Sequence, residues 1–112
     1  MESEIKIWLS DIREAIREIN QFLPEKRDFK DFQKDLKTKR AIERNIEIIG
    51  EAVNRILQVN LGVSISSARK IVDTRNRIIH GYDSVSEEII WAIVISDLPL
   101  LEKEVDSLLK EE

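Results

Sequence analysis

Residues 89–95 read Ile89-Ile90-Trp91-Ala92-Ile93-Val94-Ile95, the longest unbroken apolar run in a chain of 112 residues. A short β-branched run fits a buried strand or a buried helix equally well by periodicity. The flanks decide. Ser84 or Ser86 stands where a helix cap belongs, and Glu87 completes a capping box from Ser84. No partner strand is legible elsewhere. The run therefore reads as a helix that is apolar on nearly every face, the kind that lies between other helices or in a subunit interface. Pro99 cannot occupy a helix interior undisturbed. A kink or restart is expected at Asp97, with Leu98, Leu101, Val105, Leu108 and Leu109 forming a last helix.

Outward from this run the same period recurs. Ile5, Trp8, Leu9, Ile12, Ala15, Ile16, Ile19, Phe22 and Leu23 alternate steps of three and four, an amphipathic helix opening near Ser3 and closed by Pro24. A basic connecting stretch with Phe29 and Phe32 leads to a second helix, capped by Asp31 or Asp35. Its apolar positions include Leu36, Ile42, Ile46, Ile49, Val53, Ile56 and Leu57. Asn60, Gly62 and Ser64 mark a loop, and Ala68, Ile71, Val72, Ile78 and Ile79 define a third helix ending near Gly81. The expected fold is all-α, an up-down bundle of four to five helices, with residues 1–112 forming a single domain.

Composition narrows the function classes. An apolar share of 42% beside a charged share of 36% suits a folded, water-exposed chain. Seven apolar residues fall far short of the roughly 20 that a spanning helix needs, and no secretory-type apolar stretch follows Met1. A cytoplasmic protein without membrane contact is expected. With no Cys and one His, thiolate metal sites, Cys nucleophiles and two-histidine zinc sites are excluded, so no metal or cofactor is expected. Net charge is −4, yet residues 26–44 hold eight Lys/Arg against four Asp/Glu, and residues 69–80 hold four against one. Two such segments brought together can attract a polyanion; kept apart they are solvated helix faces.

One residue breaks the binary pattern. On a wheel of the third helix, Ala68, Ile71, Val72, Ile78 and Ile79 share an arc of about 120°, and Arg75 falls inside it. A guanidinium in an apolar arc needs an anion or a dense set of acceptors. Three resolutions are open: an ion pair with a carboxylate such as Glu51 or Glu47 on the second helix, a side chain that snorkels to the edge, or a bound anionic ligand. Asn76 and His80, four apart, share a face; Arg75 and His80, five apart, point about 140° from each other. They converge only through the helix end at Gly81 or across a symmetric dimer. The set suits phosphodiester chemistry. Imidazole can take a proton from a ribose 2′-hydroxyl and return one to a leaving oxygen, while a guanidinium holds the non-bridging oxygens.

The string Arg75-Asn76-Arg77-Ile78-Ile79-His80-Gly81-Tyr82 resembles the signature of the HEPN superfamily, and more closely the HepT-like toxins of the HepT/MntA toxin–antitoxin systems. The resemblance extends to Phe29 and Phe32, to Ile49-Gly50-Glu51-Ala52 and to the Trp91 helix leading into Asp97-Leu98-Pro99. It implies a helical homodimer, or a higher oligomer, whose Arg75 and His80 form a composite, metal-independent endoribonuclease site at the interface. Asn76 would support that site, with Glu51 and Arg77 as possible surrounding residues. Tyr82 matches the hydroxyl that receives AMP from an MntA-like minimal nucleotidyltransferase antitoxin. A second reading from the same resemblance is a non-catalytic subunit that binds a nucleotide or substrate for a separate nucleotidyltransferase. A third is a helical scaffold in which Arg75 makes only an ion pair. Just before the third helix the chain departs from the family, reading Ile65-Ser66-Ser67 where relatives commonly have Pro-Trp.

Overall fold

A computed structural model describes residues 3–80 and 85–110. The expected helix stop at Gly81, the capping box from Ser84 and the hydroxyl of Tyr82 lie outside the described residues. Within them the chain is all-helical: α1 (Ser3–Phe22), α2 (Phe29–Lys34), α3 (Leu36–Val59), α4 (Ala68–His80), α5 (Glu87–Ala92), a π-helical turn (Ile93–Asp97) and α6 (Leu98–Lys110). No strand occurs among the described residues, so the run at 89–95 is helical as its flanks required. No described helix is long and apolar enough to cross a membrane.

The heptad-like spacing of α1 places Ile5, Leu9, Ile12, Ile16 and Ile19 on one buried face. That face packs on α3, whose Ile42, Ile46, Ile49, Val53 and Ile56 are buried in turn, and α1 also meets α6. Asn45 is the polar member of the α1–α3 seam. Its amide donates to the Ala15 carbonyl at 3.1 Å and to Glu18 Oε1 at 2.9 Å, so the buried group is satisfied. From α5 and the π turn, Ile90, Ile93 and Val94 enter the core, whereas Ile95 remains 41% exposed. Ile79, although it shares the apolar arc of α4, is 43% exposed.

The basic stretch after Pro24 is more ordered than a connection. Asp28 accepts from the amides of Lys30 and Asp31 and starts α2. Phe29 and Phe32 then pack on Trp91, with ring centroids 6.0 and 5.0 Å away, which ties this corner to α5. Ser86 caps α5, its hydroxyl accepting from the Ile89 amide at 3.2 Å. The restart expected at Asp97 takes the form of the π turn, in which the Leu98 amide reaches back to the Ile93 carbonyl. A wider turn ahead of Pro99 relieves the clash of its ring with the carbonyl four residues back.

Of the two candidate caps for α3, Asp35 is the one used: its carboxylate accepts from the Thr38 hydroxyl at 2.6 Å and the Thr38 amide at 3.1 Å. The Thr38 hydroxyl, followed by its amide, holds the Asp35 carboxyl below its ordinary value. A depressed carboxyl stabilises the fold above the unfolded-state value, and that contribution disappears as pH falls through the folded-state value. Asp35→Ala should therefore lower the urea midpoint at neutral pH, and the gap from wild type should close as pH is taken down toward about 2.

Candidate functional site

The α3–α4 crossing is built around a missing side chain. A Cβ on Gly50 would lie 2.4 Å from Arg75 Cβ and 2.9 Å from Arg75 Cγ, so only glycine lets the Arg75 stem pass over α3. The stem covers apolar surface, and its guanidinium emerges at the next residue along, Glu51. Arg75 Nη2 pairs with Glu51 Oε2, and Arg75 Nη1 donates to Asn76 Oδ1 at 2.9 Å. The other Glu51 oxygen, Oε1, accepts from Arg55 Nε at 2.9 Å. Of the partners that the sequence left open for Arg75, Glu51 is the one present; Glu47 instead pairs with Arg44 at 3.2 Å. Two cations thus share the Glu51 carboxylate, and the trio keeps one positive charge.

This trio faces a cleft of about 260 Å³ between α1, α3 and α4. Helix α1 supplies Trp8 and Asp11, α3 supplies Arg44 and Arg55 beside Glu51, and α4 supplies Arg75. Arg44, Glu51 and Arg55 are seven and four residues apart, which puts them within about 40° on α3. With its side chain 22% exposed, Arg75 is neither sealed in nor free. It is partly desolvated and accessible from one side, where a charge-assisted contact to an anion gains most.

The other expected residues are distributed along α4. His80 is its last residue, exposed, and is not among the described residues that line the cleft. On one helix a spacing of five turns the directions of Arg75 and His80 about 140° apart. Arg77 is exposed on the far side of α4 and borders a second groove with Arg69 and Lys70.

The start of α4 is held by contacts that the sequence did not suggest. Ser66 donates from its amide to both Glu104 oxygens at 3.2 Å and from its hydroxyl to Oε2 at 2.6 Å. The Ser67 hydroxyl donates to Asp97 Oδ1 at 3.1 Å, and Lys70 Nζ stands 2.8 Å from Oδ2, an ion pair by distance rather than an aligned hydrogen bond. Two serines just before α4 thus anchor the Arg75 helix to the π turn and α6. These partners are 30 and 38 residues apart, so no local pattern could reveal them. Arg44, Arg55 and Trp8 were likewise overlooked, although the 44/51/55 spacing is a readable signal.

Gly50→Ala gains helix propensity of about 1 kcal/mol but forces Arg75 Cβ, which has no freedom to swing away, out of its place. Overpacking costs of about 1–3 kcal/mol should win. The variant should show a lower denaturant midpoint than wild type, and a raised midpoint would contradict the close approach.

Comparison with known proteins places the chain among relatives. The chain is 37% identical over 112 residues to the "Probable ribonuclease HepT" of Thermococcus cleftensis, covering 98% of this chain and 100% of that one. It is 33% identical over 109 residues to "Putative RNase MJ0127" of Methanocaldococcus jannaschii, covering 96% and 89%. Against "Putative RNase TTE0752" of Caldanaerobacter subterraneus it is 38% identical over 85 residues, 75% of this chain and 76% of that one. No solved structure gives a significant match. The family described as Ribonuclease HepT-like matches residues 12–108, a span that contains Gly50, Glu51, Arg75 and His80, and the chain belongs to that family.

Proposed function

We propose that the chain is a metal-independent endoribonuclease, the toxin of a toxin–antitoxin pair, whose working unit is a homodimer. The observation that carries this reading is Arg75: a partly desolvated guanidinium, oriented by Glu51 and Asn76 at an open cleft. Arg75 binds the non-bridging oxygens of the scissile phosphodiester and stabilises the charge that grows on them. His80 takes the proton from the 2′-hydroxyl, the 2′-oxygen attacks phosphorus, and the bond to the 5′-oxygen breaks. The products are a 2′,3′-cyclic phosphate and a 5′-hydroxyl. In-line displacement needs a proton donor on the opposite side, and His80 of the partner subunit supplies it. A twofold axis therefore accounts for a site with one histidine per chain.

Regulation belongs to Tyr82, two residues beyond His80. Transfer of AMP to its hydroxyl by an MntA-like nucleotidyltransferase antitoxin would add bulk and negative charge beside the phosphate path, repelling RNA from Arg75.

The test is cleavage of mixed RNA by purified wild type, Arg75→Ala and His80→Ala in the presence of EDTA, with intact mass recorded to exclude pre-existing AMP. Wild type should generate 2′,3′-cyclic ends, and each variant should lose about 100-fold or more in rate while keeping its circular dichroism. Full activity in both variants would overturn the assignment. Binding of nucleotide by an unmodified but inactive wild type would favour the non-catalytic subunit instead.

A further inference from the structure

The cleft contains an aromatic side chain, Trp8, that packs against the core yet stays partly exposed and takes no part in the proposed phosphate chemistry. Phe29, Phe32 and Trp91 pack on one another, whereas Trp8 meets no aromatic ring among the described residues. It sits beside the buried stripe of α1, half-buried, with the cleft before it. Asp11, one turn further along α1, is exposed at the same cleft and makes no ion pair there. Across from them stand Arg44 and Arg55, whose side chains are 70% and 54% exposed and which, among the described residues, make ion pairs within α3. Such exposed pairs hold weakly, and a phosphate can replace the carboxylate.

We propose that this cleft is a nucleotide subsite in which the Trp8 indole stacks an unpaired nucleobase and Asp11 accepts a hydrogen bond from its exocyclic amino group. The inference rests on the ribonuclease reading and names the part of the RNA that lies beside the phosphate held by Arg75. Arg44 and Arg55, 11 residues apart along α3, bind the neighbouring backbone phosphates on either side. At about 260 Å³ the cleft falls just under the range of pockets for drug-sized ligands, ~300–1,000 Å³, which suits one base and its phosphate rather than a duplex. An aromatic platform flanked by arginines is the chemistry of single-stranded RNA recognition. The carboxylates of Asp11 and Glu47 sharpen the choice. They repel a second phosphate strand but accept from adenine, cytosine or guanine, whereas uracil presents no amino group.

The experiment uses the full chain in the His80→Ala background, titrated with short single-stranded oligo(A), oligo(C) and oligo(U) and read by affinity and by tryptophan fluorescence. Oligo(A) and oligo(C) should bind more tightly than oligo(U) and quench the indole. Trp8→Ala should weaken binding of all three by about tenfold, and Trp8→Phe should restore most of it. Asp11→Asn should erase the advantage of oligo(A) and oligo(C) while leaving oligo(U) unchanged. Sedimentation of each variant accompanies the titration. The subsite is overturned if Trp8→Ala binds like its parent, or if it instead changes the oligomeric mass, which would make Trp8 part of a subunit contact. It is also overturned if Asp11→Asn, made with His80 intact, cleaves RNA with the same base preference as wild type, an outcome that leaves the ribonuclease reading intact. If wild type neither cleaves nor binds any RNA, the ribonuclease reading itself fails.

Discussion

Everything at the cleft depends on how closely α4 can approach α3, and Gly50 sets that distance. With no side chain between them, the Arg75 stem lies directly over α3 and its guanidinium reaches Glu51. Any larger residue would raise α4, withdraw Arg75 and open the trio formed with Arg55. The contact also explains how an arginine can belong to an otherwise apolar arc. Its methylenes fill the arc, and its charge is discharged at the rim, where water, carboxylate and ligand all have access.

A second constraint positions α4 along its length. Its first turn is tied through Ser66 to Glu104 and through Ser67 and Lys70 to Asp97. Asp97 occupies the end of the π turn that Pro99 imposes, so an irregularity forced by one residue is used to aim the carboxylate of another. The helix that carries Arg75 is therefore fixed at its start by polar contacts and at its middle by the glycine approach. Its last residue, His80, is exposed.

Acidic and basic side chains divide the labour at the cleft. Arg44, Arg55 and Arg75 are each paired with a glutamate of α3, which keeps the apo surface near neutrality and holds the guanidiniums in place. Such pairing is compatible with a chain of net charge −4 acting on a polyanion, because attraction is local and short-ranged rather than spread over the molecule.

The helical period of the apolar residues determined the all-α class. Local chemistry narrowed the caps to Asp31 or Asp35 and Ser84 or Ser86, Pro99 announced the irregular turn, and Arg75 stood out because a charge in an apolar arc is costly. These are properties of neighbours along the chain, and a single sequence states them. The short helix α2, the exposure of Ile79, the choice of Glu51 over Glu47 and the joining of Trp8 and Asp11 to the Arg75 cleft were decided only by tertiary structure. Periodicity says which residues share one face of their own helix; it does not say which face of another helix covers them, or at what height. That depends on the register of α3 against α1 and α4, set by close packing at positions such as Gly50 and Asn45, which are 25 and 27 residues from the side chains they meet.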